Sequence, residues 1–93
     1  MNKKQAKDCL SELARYGYVL LSRHCKKRMH KRNVTIDDIL NVLFWGTVVK
    51  VTHNHKKQNF ECEITGTDID GDELGFIAAI QEDCENIKCI TVY

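Results

Sequence analysis

The chain has 93 residues, 43 % of them hydrophobic, which suits one domain spanning 1–93 with one core. No apolar run approaches the roughly 20 residues needed to cross a bilayer, and no signal core follows the basic start Met1-Asn2-Lys3-Lys4; a cytoplasmic protein without a membrane partner is expected. The net charge of +1 hides an asymmetry: residues 1–58 carry 13 Lys/Arg against 4 Asp/Glu, whereas residues 59–93 carry 1 Lys against 9 Asp/Glu, so the front half points to an anionic partner.

In chain order, Ala6, Cys9, Leu10 and Leu13 recur at helical spacing and predict a helix over Lys4 to Tyr16, with Gly17 as its stop. Tyr18 to Leu21 reads as a short apolar connector. Ser22 can cap a second helix that runs to about Arg32 before Asn33. Thr35 and Asp38 form a variant capping box for a third helix, whose stripe is Ile36, Ile39, Leu40 and Leu43 and whose stop is Gly46. Trp45, beside that stop, reads as a core anchor; a base-stacking role would need an exposed ring.

After Gly46 the period changes to that of strands. Thr47 to His53 is β-branched, and Asn54-His55-Lys56-Lys57 suits a hairpin loop. Gln58 to Thr65 alternates, with Phe60, Cys62 and Ile64 on one face and Glu61, Glu63 and Thr65 on the other. Asp70-Gly71 marks a turn. Glu73 to Gln81 is the most apolar strand and is expected at the sheet centre. Glu82 to Asn86 turns the chain, and Ile87 to Tyr93 closes it. The expected fold class is α+β, with three N-terminal helices on one face of a four-stranded antiparallel sheet.

Five Cys (Cys9, Cys25, Cys62, Cys84, Cys89) form no CxxC, and the count is odd. Cys9 and Cys62 fall at core positions. Cys84 and Cys89 have a weak ligand spacing, and His53-x-His55 lacks further convergent ligands. No metal and no cofactor are expected.

The most informative stretch is Ser22 to Arg32, which holds two His and six Lys/Arg in eleven residues. On a helix, His24, Arg28 and Arg32 form one stripe at i, i+4 and i+8, with Cys25 and Met29 as a narrow apolar seam. Such a helix presents cations and imidazoles, and phosphate is the obvious ligand.

Ser22-x-His24-x-x-x-Arg28-Met29-x-x-Arg32-x-Val34-Thr35-x-x-Asp38-Ile39 resembles the signature of a small bacterial family of unknown function, roughly Ser/Thr-x-His-Ala-x-x-Arg-Met-x-x-Arg-x-Ile-Ser/Thr. Cys25 replaces the Ala of that pattern. The Asp-Gly hairpin, the apolar strand Leu74 to Ile80 and the ending Ile90-Thr91-Val92-Tyr93 are also similar, so the resemblance covers about Val19 to Tyr93. It implies relatives among the RelE, BrnT and MqsR type toxins, small α+β ribonucleases that cut mRNA without a metal and pair with an antitoxin protein. Those toxins differ widely in their catalytic residues, so the resemblance assigns none here.

The residues themselves suit that chemistry. His24 is a candidate base or acid. Arg28 and Arg32 could clamp phosphate oxygens. Tyr93 could position the scissile group or donate a proton. Lys27, Lys31 and Lys50 are candidate RNA contacts. His53 could extend the track, although alternation puts Lys50 and His53 on opposite faces. Structural roles compete: His24 could bond a strand carbonyl and fix its helix on the sheet, and Arg28 and Arg32 could pair with the acidic second half. His30 lies on another helical face. A non-catalytic module binding a protein or nucleic acid is the alternative function.

Overall fold

The computed structural model describes residues 1–82 and 86–92, and of residues 89–91 only the backbone. Its elements are α1 (Lys3–Arg15), β1 (Val19–Leu21), α2 (Arg23–Arg32), α3 (Ile36–Trp45), β2 (Thr47–Asn54), β3 (Asn59–Thr67), β4 (Glu73–Gln81) and β5 (Ile87–Val92).

Each helix begins and ends on local chemistry. Asn2 accepts the Gln5 N–H at 2.8 Å while the Gln5 side chain accepts the Asn2 N–H at 2.9 Å, a reciprocal box that starts α1. Gly17 ends it at φ +78°, with the Tyr18 N–H donated back to the Leu13 carbonyl. Ser22 Oγ accepts the Cys25 N–H at 3.0 Å to start α2. Asn33, left-handed at φ 60°, stops it, and the Val34 N–H bonds the Met29 carbonyl.

Asp38 does more than complete the Thr35 box of α3. Its Oδ2 accepts the Thr35 N–H and hydroxyl, and its Oδ1 accepts the Ile69 N–H at 3.0 Å. One buried carboxylate therefore ties the start of α3 to the β3–β4 hairpin. At the other end of α3, Lys7 Nζ donates to the carbonyls of Leu43 and Phe44 at 2.7 Å, a cation on orphan carbonyls at the negative end of the helix.

The sheet has five strands in the order β1-β5-β4-β3-β2, and this corrects the expected four-stranded antiparallel sheet. The added strand is the apolar connector: Val19, Leu20 and Leu21 pair in parallel with Ile87, Lys88 and Cys89. Three residues are too few to show a period, and their partner lies at the far end of the chain. The other pairings are antiparallel, and β4 is central as its composition predicts.

Alternation gives the sheet two unlike faces. Val48, Cys62, Ile64, Leu74, Phe76, Ala78, Ile80, Ile87 and Val92 face the core with Ala6, Leu10, Leu13, Ile39, Val42 and Leu43 of α1 and α3. Burial pushes the Cys62 thiol up to about 11, so it behaves as a small hydrophobe. The opposite face carries Lys50, Thr52, Glu61, Glu63, Ile77 and Lys88. The expectation of three helices over one face needs adjustment: α2 contacts chiefly β5, and sends only Cys25 and Met29 into the core. Trp45 is 83 % exposed and anchors nothing in the core, which corrects its reading as a core anchor. The chain passes from α3 to β2 through Gly46, so the ring is carried past the end of the packed stripe.

Gly46 is required for space rather than for conformation. A Cβ there would lie 2.5 Å from the Val42 carbonyl oxygen and 2.7 Å from that of Thr65. Gly46→Ala is expected to lower stability by roughly 1–3 kcal/mol through overpacking, measured by urea unfolding.

Hydrogen bonds from Thr35 first, and then from Ile69, hold the Asp38 carboxyl below its ordinary value of 3.8, although burial opposes them. A depressed folded-state pKa adds stability that is fully present above the ordinary value and is lost as pH falls through the folded one. Asp38→Ala should cost roughly 1–3 kcal/mol at neutral pH. Its deficit against the unsubstituted protein should shrink below about pH 4, read from denaturant melts across the acid range.

Candidate nucleic-acid interface

The basic helix borders the helix-free face of the sheet. Because β1 pairs with β5 in parallel, the chain leaving Leu21 continues along β5 as α2. Cys25 and Met29 point inward, and His24, Arg28 and Arg32 fall on the side toward the open face.

Arg28 is half-buried and its Nε–H donates to the Val92 carbonyl at 3.2 Å. The bond that pins this helix to a strand carbonyl is thus made by Arg28, not by His24. His24 is exposed and lines a cleft of about 420 Å³ with Ser22, Lys57, Asn59, Ala79, Gln81 and Lys88. Register confirms that this cleft opens on the helix-free face: Ala79 pairs with Lys88 and Asn59 with Gln81, all out of phase with the core residues.

Arg32, at the other end of α2, lines a second cleft with Thr47, Thr65, Thr67 and Glu73. Lys27 and Lys31 lie with Arg23, His24 and Arg28 along the outer surface of α2. His30 is exposed as well. Lys50 sits further across the sheet, in a depression with Thr52, Glu61, Glu63 and Ile77. The stripe and Lys50 therefore share one face but not one pocket, and carboxylates surround Lys50. His53 pairs with Phe60 and packs on its ring at 4.7 Å, on the side opposite Lys50 as alternation requires. Tyr93 and Cys84 lie outside the described residues.

Among the described residues, ion pairing with the acidic half does not occupy the stripe. Among the described residues the ion pair within reach is His53 with Glu82, and neither Arg28 nor Arg32 has a carboxylate within 4 Å. No group of three His, Cys, Asp or Glu converges as metal ligands among the described residues.

Four polar residues of the His24 cleft escaped the reading of the sequence: Lys57, Asn59, Gln81 and Lys88. Lys88 is the one cation in the acidic half, which is a visible signal. Asn59 left none, because nothing local says that a strand Asn will be buried.

The architecture is that of a small α+β domain with one free, charged sheet face bordered by a basic helix. The chain belongs to the DUF4258 family, a domain of unknown function whose model matches residues 21–93. That agrees with the expected membership in a small family of unknown function. No curated protein and no solved structure matches the chain. The matched segment contains Leu21 through β5 and excludes α1. Among the described residues no helix is long and apolar enough to cross a membrane.

Arg28→Met keeps the aliphatic stem and removes the donor to Val92. A loss of about 1.5–3 kcal/mol is expected, the value of a bond made by a charged group, read as a lower urea midpoint. An unchanged midpoint would show that this hydrogen bond does not hold α2 in place.

Proposed function

We propose that this domain is a toxin-like, metal-independent endoribonuclease of a toxin–antitoxin pair, related to the RelE, BrnT and MqsR type toxins and acting on mRNA, with a cognate antitoxin as its protein partner. The observation that carries this reading is the exposed imidazole of His24. It stands at the start of α2, in a cleft shared with Lys57 and Lys88, with Arg28 further along the helix and Arg32 in a second cleft at its other end.

The reaction needs no group beyond side chains. A base takes the ribose 2′-OH proton, and the 2′-oxygen attacks phosphorus. The bond from phosphorus to the 5′-oxygen breaks, and an acid returns a proton to that oxygen. The products are a 2′,3′-cyclic phosphate and a 5′-hydroxyl. In this proposal His24 is the base. The guanidiniums of Arg28 and Arg32 oppose the charge that builds on the phosphoryl oxygens. Tyr93 is the candidate acid. Lys27, Lys31 and Lys50 steer the strand, with Lys50 as the weakest contributor because Glu61 and Glu63 flank it.

A second reading, a non-catalytic module for a protein or nucleic-acid partner, is favoured by one observation: Arg28 already spends a donor on the Val92 carbonyl. The two readings separate on one residue. His24 is exposed and makes no hydrogen bond among the described residues, so His24→Ala should leave the melting temperature unchanged. Under the nuclease reading it should slow RNA cleavage by roughly 10²–10⁴-fold and relieve growth arrest on induced expression. Wild-type protein that neither cleaves RNA nor arrests growth would leave the binding module as the function.

A further inference from the structure

The cleft beside His24 has a floor that folding alone does not explain. Asn59 is 5 % exposed, and its Oδ1 is buried without a hydrogen-bond partner among the described residues. A buried unpaired acceptor is costly, and native proteins keep few of them. Folding could have placed an apolar residue here, since the neighbouring Ala79 of β4 is buried on the same face. An unpaired acceptor on a residue that lines an open cleft is suited to a donor that arrives from outside.

The walls have the opposite character. Lys57 and Lys88 bring ammonium groups, and His24 brings an imidazole. Ser22 is the N-cap of α2, whose first amides and dipole favour an anion at this end. The cleft thus offers positive charge around its mouth and two neutral amides, those of Asn59 and Gln81, in its lining. Its volume of about 420 Å³ falls in the range that holds one small ligand.

The cleft is also preorganised. The Lys57 N–H is donated to Asn54 Oδ1, the Glu82 N–H to the Gln58 carbonyl, and His53 bonds Glu82. These ties hold the hairpin that carries Lys57 against the end of β4.

We infer that this cleft is a one-nucleotide subsite: Lys57, Lys88 and the start of α2 hold a phosphate, and Asn59 Oδ1 accepts an N–H from the edge of the base. A nucleotide joins an anion to a planar group with ring or exocyclic N–H donors, and single-stranded RNA exposes those edges for reading. The inference rests on the RNA reading above and adds where, and by which residue, a base is felt.

The test is a titration of the full chain with 5′-AMP and, as the base-free control, ribose 5-phosphate, followed by NMR. In the wild type 5′-AMP should bind roughly 5- to 10-fold more tightly, the equivalent of one hydrogen bond. Asn59→Leu should erase that difference, and Lys88→Ala should weaken both ligands together. The melting temperature of Asn59→Leu should equal or exceed that of the wild type, because the unpaired acceptor is gone. Asn59→Ser serves as a second, smaller replacement.

Equal affinity for the two ligands in the wild type, or a preference that survives Asn59→Leu, overturns the subsite. A clear fall in melting temperature in both variants also overturns it, by making Asn59 a structural group. Mononucleotide binding needs no cleavage. A protein that shows the base preference yet leaves RNA intact therefore keeps the subsite and loses the nuclease. One that cleaves RNA without any base preference loses only the subsite.

Discussion

Parallel pairing of Val19–Leu21 with Ile87–Cys89 joins the first quarter of the chain to its last strand. A parallel partner must leave its strand in the direction in which the sheet runs. The next segment, α2, is therefore laid along the remainder of β5, and Arg28 closes the arrangement by donating to the carbonyl of Val92. Without that pairing the basic helix would have no reason to lie beside the free face. It buries only Cys25 and Met29, too narrow a seam to define its own position.

The same pairing turns a charge asymmetry along the chain into one across a surface. Cations of the front half line the α2 border, and Lys57 and Lys88 extend them onto the sheet. Acids of the back half occupy the open face of β3 as Glu61 and Glu63, and the hairpin as Asp68, Asp70 and Asp72. The two sets share a face without neutralising each other by contact: the described ion pair, His53 with Glu82, lies at the end of the β2–β3 hairpin. An anionic strand would meet attraction along α2 and repulsion over β3, which gives a track with one favoured side.

Beneath that face the fold is held by devices that leave the site untouched. Lys7 covers the last carbonyls of α3, and burial lowers its pKa from the ordinary lysine value. Asp38 spans from α3 to the β3–β4 hairpin. Gly46 and Gly66 let the end of α3 lie against β3, with a Cβ at Gly66 only 3.1 Å from the Gly46 Cα. Helix α1 supplies Ala6, Leu10, Leu13 and Ala14 to the core although it lies outside the matched family segment.

What the sequence determined by itself was everything set by neighbours a few residues away. The caps at Ser22 and Thr35, the stops at Gly17 and Asn33, the Asp70-Gly71 turn, the central place of β4 and the single stripe of His24, Arg28 and Arg32 all follow from local chemistry and periodicity. Tertiary structure decided what depends on distant partners. It made Val19–Leu21 a strand, left Trp45 in solvent, assigned the helix-pinning bond to Arg28 instead of His24, and separated Lys50 from the stripe. It also gathered Lys57, Asn59 and Lys88 around His24 from two distant parts of the chain. Pairings between residues nearly seventy positions apart leave no periodic trace, because their energy exists only once the chain has closed on itself.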